Sequence, residues 1–122
     1  MTTPSGVLKQ ARFSLRTPLK NDPNTDPAEL IAAAHASSFS LALSNELKLR
    51  AFAVGEIVTM ATVTLENFAA GWTIMNIHLS VLARLPKVTQ GEFIDAAVLA
   101  KTNCLVSRLL RANVSMNAKL EK

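Results

Sequence analysis

The chain of 122 residues holds a single cysteine, Cys104, and no tyrosine. One thiol cannot build an intrachain disulfide framework, and such sparing use of cysteine fits a reducing compartment. With no Tyr, one Trp and five Phe, there are few rings on which nucleic-acid bases could stack. Lys and Arg number 13 against 9 Asp and Glu, a net charge of +4. The basic residues are scattered from Lys9 to Lys122 with no run of like charge, so the footprint of a nucleic-acid binder is missing. Nor does any apolar run reach the roughly 18–20 residues of a membrane span. The densest stretch, Glu29 to Leu43, is broken by His35, Ser37, Ser38 and Ser40. Met1 to Gly6 lacks the charged-then-apolar pattern of a leader peptide. These absences predict a soluble, cytoplasmic protein with no nucleic-acid or membrane partner. The soft-ligand candidates are His35, His78 and Cys104, at no metal-site spacing, so neither a metal nor another cofactor is expected.

Apolar side chains are abundant, at 49% of the chain. That is enough for a core and predicts one domain over residues 1–122. At this size only a moderate share of the surface is buried on folding, so a core shared between two chains would help.

The loop-like stretch is Thr17 to Thr25, and Ala11 to Arg16 before it reads as a strand. Asp26-Pro27-Ala28-Glu29 reads as a helix start, with Asp26 as cap, Pro27 in the first helical position and Glu29 as capping-box partner. The helix should run to Leu47 or Leu49. Apart from His35 it carries no charge between Leu30 and Asn45, so it should be central and covered on more than one side.

Ile57, Thr59, Ala61, Val63 and Leu65 alternate, and so do Met75, Ile77, Leu79, Val81, Ala83 and Leu85. Two alternating runs joined by a short Gly-containing turn predict a hairpin. Thr89-Gln90-Gly91-Glu92 is a second capping-box pattern, opening a helix through Lys101 that Asn103 breaks; a short helix follows over Cys104 to Leu110. A last strand alternates Val114, Met116, Ala118 and Leu120 with polar neighbours. Strand, helix, two strands, two helices, strand is an α+β order: helices packed on a mainly antiparallel sheet.

Two segments carry a resemblance. Ala33-Ala34-His35-Ala36-Ser37-Ser38-Phe39-Ser40 resembles the central-helix motif of the OsmC/Ohr family, Ala-Ala-His-Ala-Ala-Cys-Phe-Ser. Ala100-Lys101-Thr102-Asn103-Cys104-Leu105-Val106-Ser107 resembles that family's second motif, Lys-Ala-x-Cys-Pro-Val-Ser. Between them the Ala61–Glu66 strand, the Gly71-Trp72-Thr73-Ile74 strand start and the Leu85-Pro86 strand end fall in the family's order. The resemblance implies an OsmC-like fold and an intertwined homodimer, in a chain that begins after the family's additional N-terminal strand. It also implies the reduction of organic hydroperoxides by a pair of thiols, with a dithiol reductant closing the cycle.

On this resemblance Ser38 stands at the position of the attacking cysteine, Cys104 at that of the resolving cysteine, and Arg16 at that of the catalytic arginine, with Arg12 as the alternative. Ala28 stands where the family has the carboxylate that orients the arginine; Glu29 is adjacent, but one residue along a helix rotates a side chain by ~100°. Leu105 replaces the proline after the second cysteine. A serine hydroxyl does not perform the oxygen transfer of a thiolate. Two readings follow: a weak or inactive hydroperoxide reductase, and a non-catalytic protein whose pocket binds a small hydrophobic ligand or a partner. Cys104 itself is either a reactive thiol at a helix start or a buried, inert one. His35 and Ser38 share a helix face, but no orienting group or oxyanion site accompanies them, so a serine hydrolase is disfavoured.

Overall fold

A computed structural model describes residues 1–13 and 24–121. The described residues form two compact units, Met1–Ile31 and Ala32–Lys122. In the first, the chain start folds back on itself: Ala11 N donates to Met1 O at 2.8 Å and Thr3 N to Leu8 O at 2.8 Å. Gln10 takes a left-handed φ of 49° to close this loop. Phe13 forms an isolated parallel bridge with Thr25. The strand expected from Ala11 is therefore a single bridge at Phe13 within the described residues, and Ser14 to Arg16 lie outside them.

Helix α1 spans Pro27–Leu49. Asp26 Oδ1 accepts the Glu29 N–H at 2.7 Å, satisfying one of the donors that a helix start leaves bare. The Glu29 carboxylate does not complete the expected box; it accepts the Thr25 hydroxyl at 2.7 Å instead, a partner placed one residue further back. At the other end Ala51 N donates to Lys48 O and Phe52 N to Leu47 O, the paired bonds of a Schellman stop. The stop puts Ala51 at φ 62°, a conformation that suits glycine and costs an L-residue roughly 1–2 kcal/mol.

Within the second unit α1 buries the stripe Ala32, His35, Phe39, Leu43 and Leu47. Expected coverage on more than one side is not met within one chain: Leu41 is 73% exposed. Strands β1 (Glu56–Phe68) and β2 (Gly71–Arg84) form the predicted antiparallel hairpin. Phe68 pairs with Gly71 across the turn, and Gly71 supplies a φ of 120° that side chains resist. A bulge lies between Thr64 and Leu65. Ile77, Leu79, Val81 and Ala83 of β2 point into the core.

Helix α2 (Gln90–Asn103) opens with both bonds of the capping box, Glu92 N to Thr89 Oγ1 and Thr89 N to Glu92 Oε1. Those two bonds hold the Glu92 carboxyl below its ordinary range. The helix does not stop at Lys101; it runs to Asn103, and the break falls on Cys104, extended at φ −67°, ψ 153°. Helix α3 (Leu105–Leu109) follows, then β3 (Asn113–Glu121). β3 pairs parallel to β2, completing the order β1-β2-β3. The sheet is thus mixed: the hairpin is antiparallel, while the α2–α3 crossover returns the chain parallel. The architecture is α+β. Among the described residues no helix is long and apolar enough to cross a membrane. Phe39 and Phe93 are core, whereas Phe68 and Trp72 are about half exposed near the hairpin turn.

Gly55 precedes β1 so closely to β2 that an added Cβ would fall on the Arg84 carbonyl oxygen. Two neighbouring substitutions should therefore act in opposite directions. In urea denaturation Ala51→Gly should stabilise by about 1 kcal/mol through relief of the left-handed alanine, and Gly55→Ala should destabilise by about 1–3 kcal/mol through overpacking against backbone.

Candidate active site

The site forms where α1 meets the break between α2 and α3. Helix α3 is five residues long, so most of its first-turn N–H groups have no partner of their own. Cys104 precedes it and gives no side-chain cap. The Val106 N–H donates instead to Ser38 Oγ at 3.3 Å: a serine of α1 caps α3 from across the interface. One turn back on α1, His35 Nε2 lies 2.7 Å from Ser107 Oγ. Cys104 Sγ donates to the same Ser107 Oγ at 3.1 Å. Ser40 Oγ ties the other side of α1 to the sheet through Thr59 Oγ1 at 2.7 Å.

The geometry follows from spacing. His35 and Ser38 are separated by three residues on α1 and lie on one helical face, while the extended Cys104 reaches Ser107, three residues on, through its own Sγ. The two segments meet, and the contacts cross over: His35 binds Ser107, while Ser38 binds the backbone between Cys104 and Ser107. His35 is fully buried. Burial holds its imidazole below the ordinary value, so the ring is neutral at pH 7. Its Nδ1 is buried with no hydrogen-bond partner among the described residues, a cost of about 1–3 kcal/mol when water is excluded.

Ser38 and Cys104 line one groove of about 560 Å³, together with Ala34, Leu41, Leu105 and Val106 among others. Cys104 is 2% exposed and Ser38 half-buried. Of the residues singled out from sequence, these two come together. Arg16 lies outside the described residues. Ser38 does not pair with His35, whose Nε2 goes to Ser107, so the hydroxyl has no imidazole base and the geometry of a serine hydrolase is not built. Among the described residues no group of three or more His, Cys, Asp or Glu could hold a metal ion.

A family model described as OsmC-like protein matches residues 20–119. The chain belongs to the OsmC family. It is 36% identical to Peroxiredoxin OsmC of Escherichia coli (strain K12) over 121 residues, which are 99% of this chain and 85% of that protein. Among solved structures, an organic hydroperoxide resistance protein from Elizabethkingia anophelis superposes with a TM-score of 0.70 at 25% identity, covering 99% of this chain and 86% of that one. The organic hydroperoxide resistance protein OhrB of Bacillus subtilis gives 0.69 at 22%, covering 98% and 87%, a likeness that speaks for the fold. The two motifs through which the sequence resembles the OsmC family are thus the two segments that meet at the groove.

Ser107 is the participant that sequence reasoning passed over. It was visible as the last residue of the second motif, and its spacing of three from Cys104, matching that of His35 and Ser38, was the signal available.

Neutral, buried His35 links stability to pH. Its folded-state value lies below the unfolded value of about 6.5, so the unfolded chain binds more protons in the window beneath pH 6.5, and stability should fall as pH drops through that window. Denaturant midpoints at pH 7.5 and 5.0 should separate more in the wild type than in His35→Gln; equal separation in both would assign the acid sensitivity elsewhere.

Proposed function

We propose that this chain is a cytoplasmic, homodimeric member of the thiol-dependent organic hydroperoxide reductase lineage that turns over hydroperoxide poorly or not at all. The reading is carried by one observation: the groove that Cys104 lines has the hydroxyl of Ser38, not a second sulfur, beside it. In this family's chemistry a thiolate attacks the peroxide oxygen and becomes a sulfenic acid, which a second thiol resolves as a disulfide. Ser38 supplies no thiolate, and its oxygen is engaged with Val106 N–H. On the family resemblance Arg16 is taken as the arginine at the reacting oxygens, and Ala28 stands where the family has the carboxylate that orients it, a group that would sharpen the stabilisation of developing charge. Cys104 can be oxidised, but no other protein thiol in the chain can close the cycle.

A second reading, a pseudoenzyme that binds a small hydrophobic ligand or a partner, is favoured by the apolar residues of the groove, Ala34, Leu41, Ala42, Leu105 and Val106. The dimer is supported by the same region: Leu41 is 73% exposed, and Leu105 and Leu109 are each 77% exposed. Large apolar side chains left open along one helix junction are what a two-fold partner would cover. Sedimentation at micromolar concentration should report a dimer; a monodisperse monomer would remove that part of the proposal.

With cumene hydroperoxide and a dithiol reductant, the unmodified chain should turn over far below the ~1–10³ per second of good enzymes. Ser38→Cys should restore part of the activity, and Ala28→Glu combined with Ser38→Cys should exceed either single change, by about tenfold over Ser38→Cys if the arginine is re-aligned, or about 1.4 kcal/mol of barrier. Rapid turnover by the unmodified chain would overturn the proposal.

A further inference from the structure

The function proposed above leaves His35 and Ser107 without a task, yet they connect directly to the chain's one thiol. Cys104 Sγ donates to Ser107 Oγ, and that oxygen lies 2.7 Å from His35 Nε2. The protons on this line can be counted. If Nε2 carried the ring proton, it and the thiol would both aim at one oxygen, leaving the hydroxyl's own proton with no acceptor among these groups. With the ring proton on Nδ1, the line runs in one direction: thiol to hydroxyl, hydroxyl to Nε2. An independent feature agrees in marking His35 as more than packing: its side chain is 0% exposed, yet Nδ1 has no partner among the described residues. A ring held only to fill space would be replaced at no such cost by a leucine.

We propose that Ser107 and His35 are positioning residues for Cys104, receiving its proton along this line so that the thiol reacts as a thiolate facing the groove. The inference rests on reading Cys104 as the surviving thiol of an OsmC-type site. In the step, the Cys104 S–H bond breaks and an O–H bond forms on Ser107; the original Ser107 O–H bond breaks and an N–H bond forms at His35 Nε2. The result is a thiolate and an imidazolium, with no change in net charge. Burial opposes an imidazolium by itself; the thiolate created in the same step supplies the opposite charge one hydroxyl away. When an organic hydroperoxide is the oxidant, sulfur takes one oxygen and becomes a sulfenic acid, the O–O bond breaks, and the proton returns through Ser107 to the departing alkoxide.

The charged and titratable groups on the surrounding elements leave this line to itself. On α1 the others are Glu29, which accepts the Thr25 hydroxyl, and Glu46 and Lys48, three turns from His35, with Glu46 placed against Arg50. On α2 Glu92 is bound in its capping box, Asp95 is exposed and Lys101 is on the last turn; on α3 Arg108 is exposed. On the strands His78 binds Ser115, Arg84 binds Glu121 and Lys119 is exposed.

Because Cys104 is the only cysteine, alkylation of the intact chain by iodoacetamide reports it alone. Rates would be measured by mass spectrometry from pH 5 to 9. Ser107→Ala and His35→Asn should each slow alkylation at pH 7 by about tenfold and move the profile about one pH unit to the alkaline side, whereas Ser107→Thr, which keeps a hydroxyl, should follow the wild type. Profiles of Ser107→Ala and His35→Asn that superimpose on the wild type would overturn the relay, as would a Ser107→Thr profile displaced like that of Ser107→Ala. Should Ser107→Ala fail to fold, the His35→Asn and Ser107→Thr pair decides by the same criteria. Rapid hydroperoxide turnover by the unmodified chain would overturn the proposed function without moving these profiles, so the two ideas fail separately.

Discussion

The structure depends on a polar joint inside an apolar core. Like any helix, α3 leaves its first-turn N–H groups without intrahelical partners, and α1 passes it carrying Ser38 and His35, which reach its backbone and its Ser107 side chain respectively. The Ser38 hydroxyl takes the Val106 N–H, and His35 meets Ser107. Each bond is worth only about 0.5–1.5 kcal/mol net, but a buried donor left without its acceptor costs more than that. The joint therefore adds directional contacts to the packing of the fully buried Phe39, Leu43 and Leu47 in setting α1 against the α2–α3 break. It also decides where Cys104 sits. Extended between α2 and α3, Cys104 holds its Sγ against Ser107 and lines the groove.

This constraint bears on the proposed reading of Ser38 as the residue at the attacking-cysteine position. A serine at a helix crossing is small enough for close approach and polar enough to cap α3. A thiol is a weaker acceptor. On the proposed reading, in which Ser38 stands at the attacking position, the serine thus strengthens the joint on which the site is built. Stability and thiol chemistry make opposite demands on position 38, and here the structure follows the first.

Much of the fold was legible because its signals are local. Asp26-Pro27 announces α1, Thr89 and Glu92 announce α2, and the period-two runs around Ile57–Leu65 and Ile77–Leu85 give the hairpin and its inward face. What could not be read is what the local pattern leaves open. Whether Glu29 turns to Asp26 or Thr25 is a choice between near neighbours settled by backbone geometry. The parallel pairing of β3 with β2 is set by how the α2–α3 crossover returns, not by the alternation of Val114 and Met116. Leu41 has the composition of a covered residue and is exposed in a single chain. At the site, the motifs marked Ser38 and Cys104 by resemblance, while the His35–Ser107 contact joins residues 72 positions apart, which no spacing rule within one helix reaches.

The central claim is that whatever peroxide chemistry this chain retains belongs to Cys104 and that Ser38 contributes none. Stopped-flow consumption of a stoichiometric amount of organic hydroperoxide by the Cys104→Ser variant tests it most directly. The account predicts that this variant consumes peroxide at the rate of buffer alone, while the unmodified chain consumes at most one equivalent before stalling. Consumption above the buffer rate in the absence of any thiol on the protein would contradict it.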